Sequence, residues 1–245
     1  MNLSLTYGLI SGASLILGAI IGLLFKFKSK TIASLMAFGS GILLSAITFG
    51  LVDEAFTHGG FESVIIGFLS GGILFLIGDY FLHQIGARTH RRYTLVPTTK
   101  DSNGLLIVLG ALLDGIPESV ALGVVLFGQQ NIGVLMLVAI VLSNFPESLS
   151  SVSGLIDEKF SKNKIFLIWL IVGVLTVIVV WLSFIFLHDL HPASIGILEA
   201  FAAGAILMML SDSMIPEAYK RGGFAVAFFT LFGFLTSFII SRINS

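Results

Sequence analysis

Two short segments hold the residue types that could do chemistry. They are Asp114-Gly115-Ile116-Pro117-Glu118-Ser119 and Ser143-Asn144-Phe145-Pro146-Glu147-Ser148. On a helix, Asp114 and Glu118 are four residues apart and share one face. Ser143 and Glu147 have the same spacing, and Asn144 and Glu147 are three apart. Were the two faces to meet, three carboxylates, an amide oxygen and a hydroxyl would converge. Three carboxylates in a low dielectric cannot all stay ionised without a cation or protons. A divalent metal meets that demand, because carboxylate and amide oxygens are hard ligands. Each segment also places a proline in mid-helix. Pro117 cannot bond the carbonyl of Leu113, nor Pro146 that of Leu142. The plainer alternative is that the prolines only kink their helices and the acids are protonated packing residues.

The elements that carry these segments must cross a lipid bilayer. Of the 245 residues, 56% are hydrophobic and only 11% charged, and mean hydropathy is +1.03. A soluble globule could not hide that much apolar surface. Soluble enzymes, disordered chains and nucleic-acid binders are excluded, the last also by a net charge of −1. No cysteine is present, which removes disulfides, thiolate metal sites and a cysteine nucleophile. The 27 glycines and 22 phenylalanines suit helix-packing and lipid-facing surfaces. Ionisable groups inside a span default to function, and carbonyls freed there need a partner such as water, a side chain or a metal.

Eight apolar stretches are long enough to cross: 5–25, 31–52, 62–83, 104–127, 131–156, 164–187, 193–215 and 222–241. Connections are short; the longest polar one, Arg88 to Asp101 with Arg91, Arg92, Pro97 and Lys100, reads as a loop. Lys26, Lys28 and Lys30 follow the first span, so it reads as an anchor with its N-terminus outside, not a cleavable leader. With eight spans, 12 of the 13 Lys/Arg fall on one side and only Arg242 on the other. The positive-inside rule makes the rich side cytoplasmic and places both termini outside.

An internal repeat follows. Ala37–Gly60 aligns without gaps on Ala200–Gly223 at an offset of 163, with eight identities in 24 positions, among them Glu54/Glu217, Ala55/Ala218, Gly59/Gly222 and Gly60/Gly223. Span 2 and span 7 run in opposite directions, so the repeat is inverted. The Pro-Glu-Ser units of spans 4 and 5 obey the same symmetry. One transmembrane domain, 1–245, is expected, with repeats 1–87 and 160–245 around central helices 103–158. Inverted repeats with broken polar helices at their interface mark secondary transporters.

The paired segments resemble the His-Asn-x-Pro-Glu-Gly motifs of the ZIP (Zrt/Irt-like) divalent metal transporters, and Ala202–Ala205 through Ile215–Ala218 resembles that family's seventh helix. The resemblance covers the whole chain. It implies an all-α integral membrane protein with eight transmembrane helices in a 3+2+3 inverted-repeat bundle. It further implies a metal site between helices 4 and 5, and transport of zinc, iron or manganese toward the cytoplasm without an organic cofactor. A homodimer in the plasma or inner membrane goes with it. Asp114 and Ser143 stand where the family usually has His, Gly115 where it often has Asn, and Ser119 and Ser148 replace the motif glycines. Span 6 has no acid for a second metal. One site is therefore expected, from Asp114, Glu118, Asn144 and Glu147, with Ser143 a weaker ligand. Replacing imidazole by carboxylate hardens it and shifts preference from zinc toward manganese, iron(II) or magnesium. An alternative is a transport-inactive metal sensor or scaffold of the same fold. An intramembrane enzyme fits poorly, since no Ser/His pair sits at comparable depth.

Other polar residues divide into outer and inner sets. Asp53, Glu54, His58 and Glu62 form either a cation-attracting entrance or a solvated acidic loop. His188, Asp189 and His191 read as an exposed turn. His83 and His90 lie near the cytoplasmic side. Asp212 and Glu217 could line the inner half of a pathway, whereas Asp79 reads as solvated. Glu199 fits an entrance or the surface equally. Gly8/Gly12, Gly18/Gly22 and Gly67/Gly71 have small-xxx-small spacing for close helix contacts, within or between chains.

Overall fold

The computed structural model describes residues 2–84, 104–127, 130–187 and 190–243. The loop from Arg88 to Asp101, His90, His188 and Asp189 lie outside them. Every regular element among the described residues is helical. In chain order these are α1 (Asn2–Leu24), α2 (Ser29–Ala46), α3 (Asp53–Gln84), α4 (Gly104–Val124), α5 (Gln130–Asp157), α6 (Lys162–Leu187), α7 (Pro192–Met209), α8 (Ile215–Gly222) and α9 (Ala225–Ile243). Wider π turns at Ile47–Val52 and Leu210–Met214 join α2 to α3 and α7 to α8. Seven helical runs among the described residues are long and apolar enough to cross a membrane, which makes the chain a multi-pass integral membrane protein.

One of those runs, Ser29–Gln84, is 56 residues long. A straight helix of that length would measure roughly 84 Å, against a hydrocarbon core of about 30 Å. It is interrupted at Gly60, whose φ of 66° and ψ of −166° are non-helical. Only glycine adopts that region readily. Gly223, between α8 and α9, has a φ of 64° and ψ of −147°. These two glycines are 163 residues apart, as are the starts of the two π turns at Ile47 and Leu210. The turns that widen and then end the helix thus recur at the offset of the sequence repeat.

Helix contacts also come in matched sets. α3 packs on α7 and α9 on α2; α1 packs on α5 and α6 on α4; α2 packs on α5 and α7 on α4. Exchanging α1 with α6, α2 with α7, α3 with α9 and α4 with α5 leaves this set unchanged. Small residues form the closest contacts. Ala33, Ala37, Ala46, Ala121, Ala139, Ala202 and Ala203 are wholly buried, and short side chains let backbones approach where lipid gives no hydrophobic drive between helices. The paired glycines face helices of the same chain: Gly8 and Gly12 meet α6, Gly18 and Gly22 meet α5, and Gly67 and Gly71 meet α7. Large apolar side chains point the other way. Ile65, Leu69, Ile73 and Leu76 on α3 and Phe228, Phe232, Leu235 and Ile239 on α9 are exposed, as a lipid-facing surface requires.

The acidic stretch after span 2 is not a loop. The helix runs through Asp53 to the break at Gly60, beyond the boundary at residue 52 expected from hydropathy. Glu54 and Ala55 are buried, so packing of this turn outweighs its polar composition.

Candidate metal centre

Pro117 lies inside α4 and Pro146 inside α5. The two faces read from the sequence do meet. Ser143 Oγ lies 3.4 Å from Glu118 Oε1 and also donates to the carbonyl of Ile140 at 3.0 Å. Both Ser143 and Glu118 are buried, as is Asn144. Asn144 Nδ2 donates to Ser11 Oγ of α1 at 3.2 Å. With its N–H so engaged, the amide offers its carbonyl oxygen as the ligand atom. Ser119 and Ser148, which replace the motif glycines, turn back on their own helices. They donate to the carbonyls of Gly115 (2.7 Å) and Phe145 (3.1 Å).

Close approach of neighbouring helices frames the α5 segment. A Cβ on Gly39 of α2 would lie 3.0 Å from the Leu142 carbonyl oxygen, the acceptor freed by Pro146. On the other side, a Cβ on Gly18 of α1 would run into Ser148 Oγ and the Phe145 carbonyl. Glycine at both places lets α1 and α2 pack closely on the turn around Pro146.

Asp114 lies one turn before Glu118 on α4, and Glu147 one turn after Ser143 on α5. Both line a cavity of about 30 Å³ whose wall also includes Asp79, Ser150, Ser213 and Glu217. That volume is one or two water-sized positions. Asp79, read from sequence as solvated, is part of this wall. Glu217 is held by two groups: Ser150 Oγ donates to its Oε1 at 2.6 Å, and Arg221 Nη2 lies 3.0 Å from the same oxygen. Asp212 is not among the cavity's lining residues. Of the five expected ligands, Glu118 and Ser143 are in contact, Asp114 and Glu147 line the cavity, and Asn144 is bonded to Ser11.

Sequence reasoning missed three participants. Ser11 belongs to a buried polar row on α1, Ser4, Ser11 and Ser14, and its seven- and three-residue spacing places it on one face. Ser150 stands four residues after Pro146. Both were legible as hydroxyls recurring inside apolar helices. The third is Glu199, which could not be assigned; it is fully buried and joined to His58, with Nδ1 2.9 Å from Oε2.

No family model matches this chain. It is 26% identical over 185 residues to the Arabidopsis thaliana protein named "Putative zinc transporter At3g08650". The aligned part covers 74% of this chain and 29% of that relative, so the chain spans less than a third of the relative's length. The similarity to a protein of that name thus falls on a chain in which Glu118 of one proline-containing membrane helix meets Ser143 of another.

Proposed function

We propose that this chain is a ZIP-like carrier of divalent metal cations, moving zinc, iron or manganese toward the cytoplasm. The contact that carries the reading is Glu118 with Ser143, which joins the two Pro-Glu-Ser helices. Glu118 and Glu147 are the central ligands. Asp114 and the Asn144 carbonyl oxygen complete the shell, and the Ser143 hydroxyl is a weaker ligand. The cation is substrate, and its preference follows ligand hardness, which favours manganese and iron(II) over zinc relative to an imidazole site. From Asp114 and Glu147 the cavity continues to Asp79 and Glu217, which supplies further carboxylates along one route.

The topology belongs to the same proposal. Counting Ser29–Gln84 as two spans that meet at Gly60 gives eight, in a 3+2+3 inverted repeat with both termini outside. The recurring π turns, the matched glycine breaks and the paired helix contacts support it. So does the charge asymmetry, which leaves Arg242 alone on the outer side. Transport would follow alternating access about the central helices, in the plasma or inner membrane, as a homodimer.

The reading is tested in proteoliposomes. Wild-type chain should take up Mn²⁺, and Glu118→Ala and Glu147→Ala should each lower uptake at least tenfold. Equal uptake by all three would remove these residues from the pathway. Metal bound by the wild type without flux would favour the sensor or scaffold.

A further inference from the structure

A second group of ligands sits at the opposite end of α2 from the cavity. Glu54 and His58 are four residues apart on α3, just after the π turn, and Glu199 faces them from α7. One imidazole nitrogen and one oxygen from each glutamate lie within 4.8 Å of one another. His58 stands between the acids, with Nδ1 2.9 Å from Glu199 and Nε2 3.8 Å from Glu54. Met36, which lines the central cavity, is 18 residues before Glu54, or roughly 27 Å along a helix. The two groups are therefore separate.

We infer that Glu54, His58 and Glu199 form an outer divalent-metal site that takes a first-row transition ion. Three observations support it. The first is Glu199 itself: it is fully buried, and its Oε1 has no hydrogen-bond partner. A buried carboxylate oxygen left in this way is costly, and a metal bond is one of the few contacts that would satisfy it. The second is charge. Glu54 and Glu199 are both buried and face one imidazole, and a divalent cation offsets carboxylate charge brought into the bundle. The third is the donor set. One nitrogen and two carboxylate oxygens, with water to complete the shell, are what zinc, manganese and iron(II) accept, while imidazole is foreign to magnesium and calcium sites. Metal-bound ligand atoms stand about 3.3 Å apart when each bond is about 2.0–2.1 Å, and one nitrogen and one oxygen from each glutamate already lie within 4.8 Å of one another. His58 keeps 22% of its side chain exposed, which provides access. Close packing puts Glu199 in place: a Cβ on Gly196, one turn earlier, would come 2.7 Å from the Ala55 carbonyl.

The repeat supplies an internal control. At the offset of 163, Glu54 corresponds to Glu217, His58 to Arg221 and Glu199 to Met36. The inner copy pairs its single glutamate with a permanent cation and needs no metal. The outer copy has exchanged that cation for a metal-binding ring and added an acid.

Mn²⁺ is the probe, on purified chain already carrying Glu118→Ala and Glu147→Ala, so that the result does not depend on the central site. This protein should bind one Mn²⁺ whose electron spin-echo signal shows directly bound nitrogen. Adding His58→Gln should abolish the nitrogen signal, and adding Glu199→Gln should weaken binding at least tenfold. Unchanged metal-free melting temperatures establish that each variant is folded; where Glu199→Gln is not, His58→Gln alone decides. No bound Mn²⁺, a nitrogen signal that survives His58→Gln, or a loss below tenfold in folded Glu199→Gln overturns the site.

Discussion

The end of α2, outer in the proposed topology, and the end of α7, inner in it, start from one sequence plan and reach different chemistry. Each has a π turn, then a Glu-Ala pair, then a Gly-Gly break. At the inner end Glu217 meets Arg221, with 15% and 18% of their side chains exposed, and Ser150 adds a neutral donor. That carboxylate is balanced by a guanidinium which never loses its proton. At the outer end Glu54 meets His58 four residues on, and the wholly buried Glu199 joins them. Repeating a backbone therefore does not repeat a site. Two exchanges, Arg for His and Met for Glu, decide whether the same turn is closed by its own charge or left open to a cation.

The largest expected effect comes from making the outer end resemble the inner one. In chain lacking the central ligands, His58→Arg with Glu199→Met removes two of three proposed outer ligands. Mn²⁺ affinity should fall by at least about a hundredfold, because loss even of groups that only orient ligands costs 10–100-fold. Titration followed by Mn²⁺ paramagnetic resonance reads this directly. Retention of affinity within about tenfold would mean that the exchange does not distinguish the two ends.

The next effect probes what the two ends share. Gly60 and Gly223 both lie at positive φ with extended ψ, where a Cβ is strained but meets no neighbour. Gly60→Ala and Gly223→Ala should each destabilise by about 1–3 kcal/mol, and by similar amounts. Chemical unfolding in one detergent compares them. If one substitution were neutral and the other severe, the breaks would not be equivalent despite their matched angles.

Much of this architecture was legible because lipid imposes strict rules. Apolar runs gave the helices, and the Pro-Glu-Ser pair located the meeting of α4 and α5. The offset of 163 paired Gly60 with Gly223, and the structure interrupts a helix at each. What escaped depends on partners distant in the chain. Glu199 is one acid in an apolar helix, and nothing near it in sequence announces His58, 141 residues away. Asp79 looked close enough to water to be solvated, yet it lines the cavity. The acids and histidine between Asp53 and Glu62 fitted a cation entrance and a solvated loop equally, and their run to Gly60 need not have been helical. It is helical because Glu54 and Ala55 turn inward. Periodicity reports which face is apolar, but it cannot report which polar group another helix will bring to that face.

The smallest expected effect concerns Ser150, the neutral donor at the inner end. The alignment of the two Pro-Glu-Ser segments puts Ala121, which has no hydroxyl, at the corresponding place on α4. Ser150 is buried and Glu217 only partly exposed, so their 2.6 Å hydrogen bond is shielded from water more than a surface contact would be. A hydrogen bond to a charged acceptor contributes about 1.5–3 kcal/mol when well protected. Glu217 also keeps Arg221, and a partly exposed ion pair of that kind contributes under about 1 kcal/mol. Ser150→Ala should therefore cost about 1 kcal/mol, the remainder being recovered as Arg221 and water take the vacated position. A double-mutant cycle with Glu217→Ala, which removes the acceptor, measures the Ser150–Glu217 coupling. Coupling near 1 kcal/mol would make the hydroxyl a real part of the inner closure; coupling below about 0.3 kcal/mol would leave Arg221 as the whole of the difference between the ends.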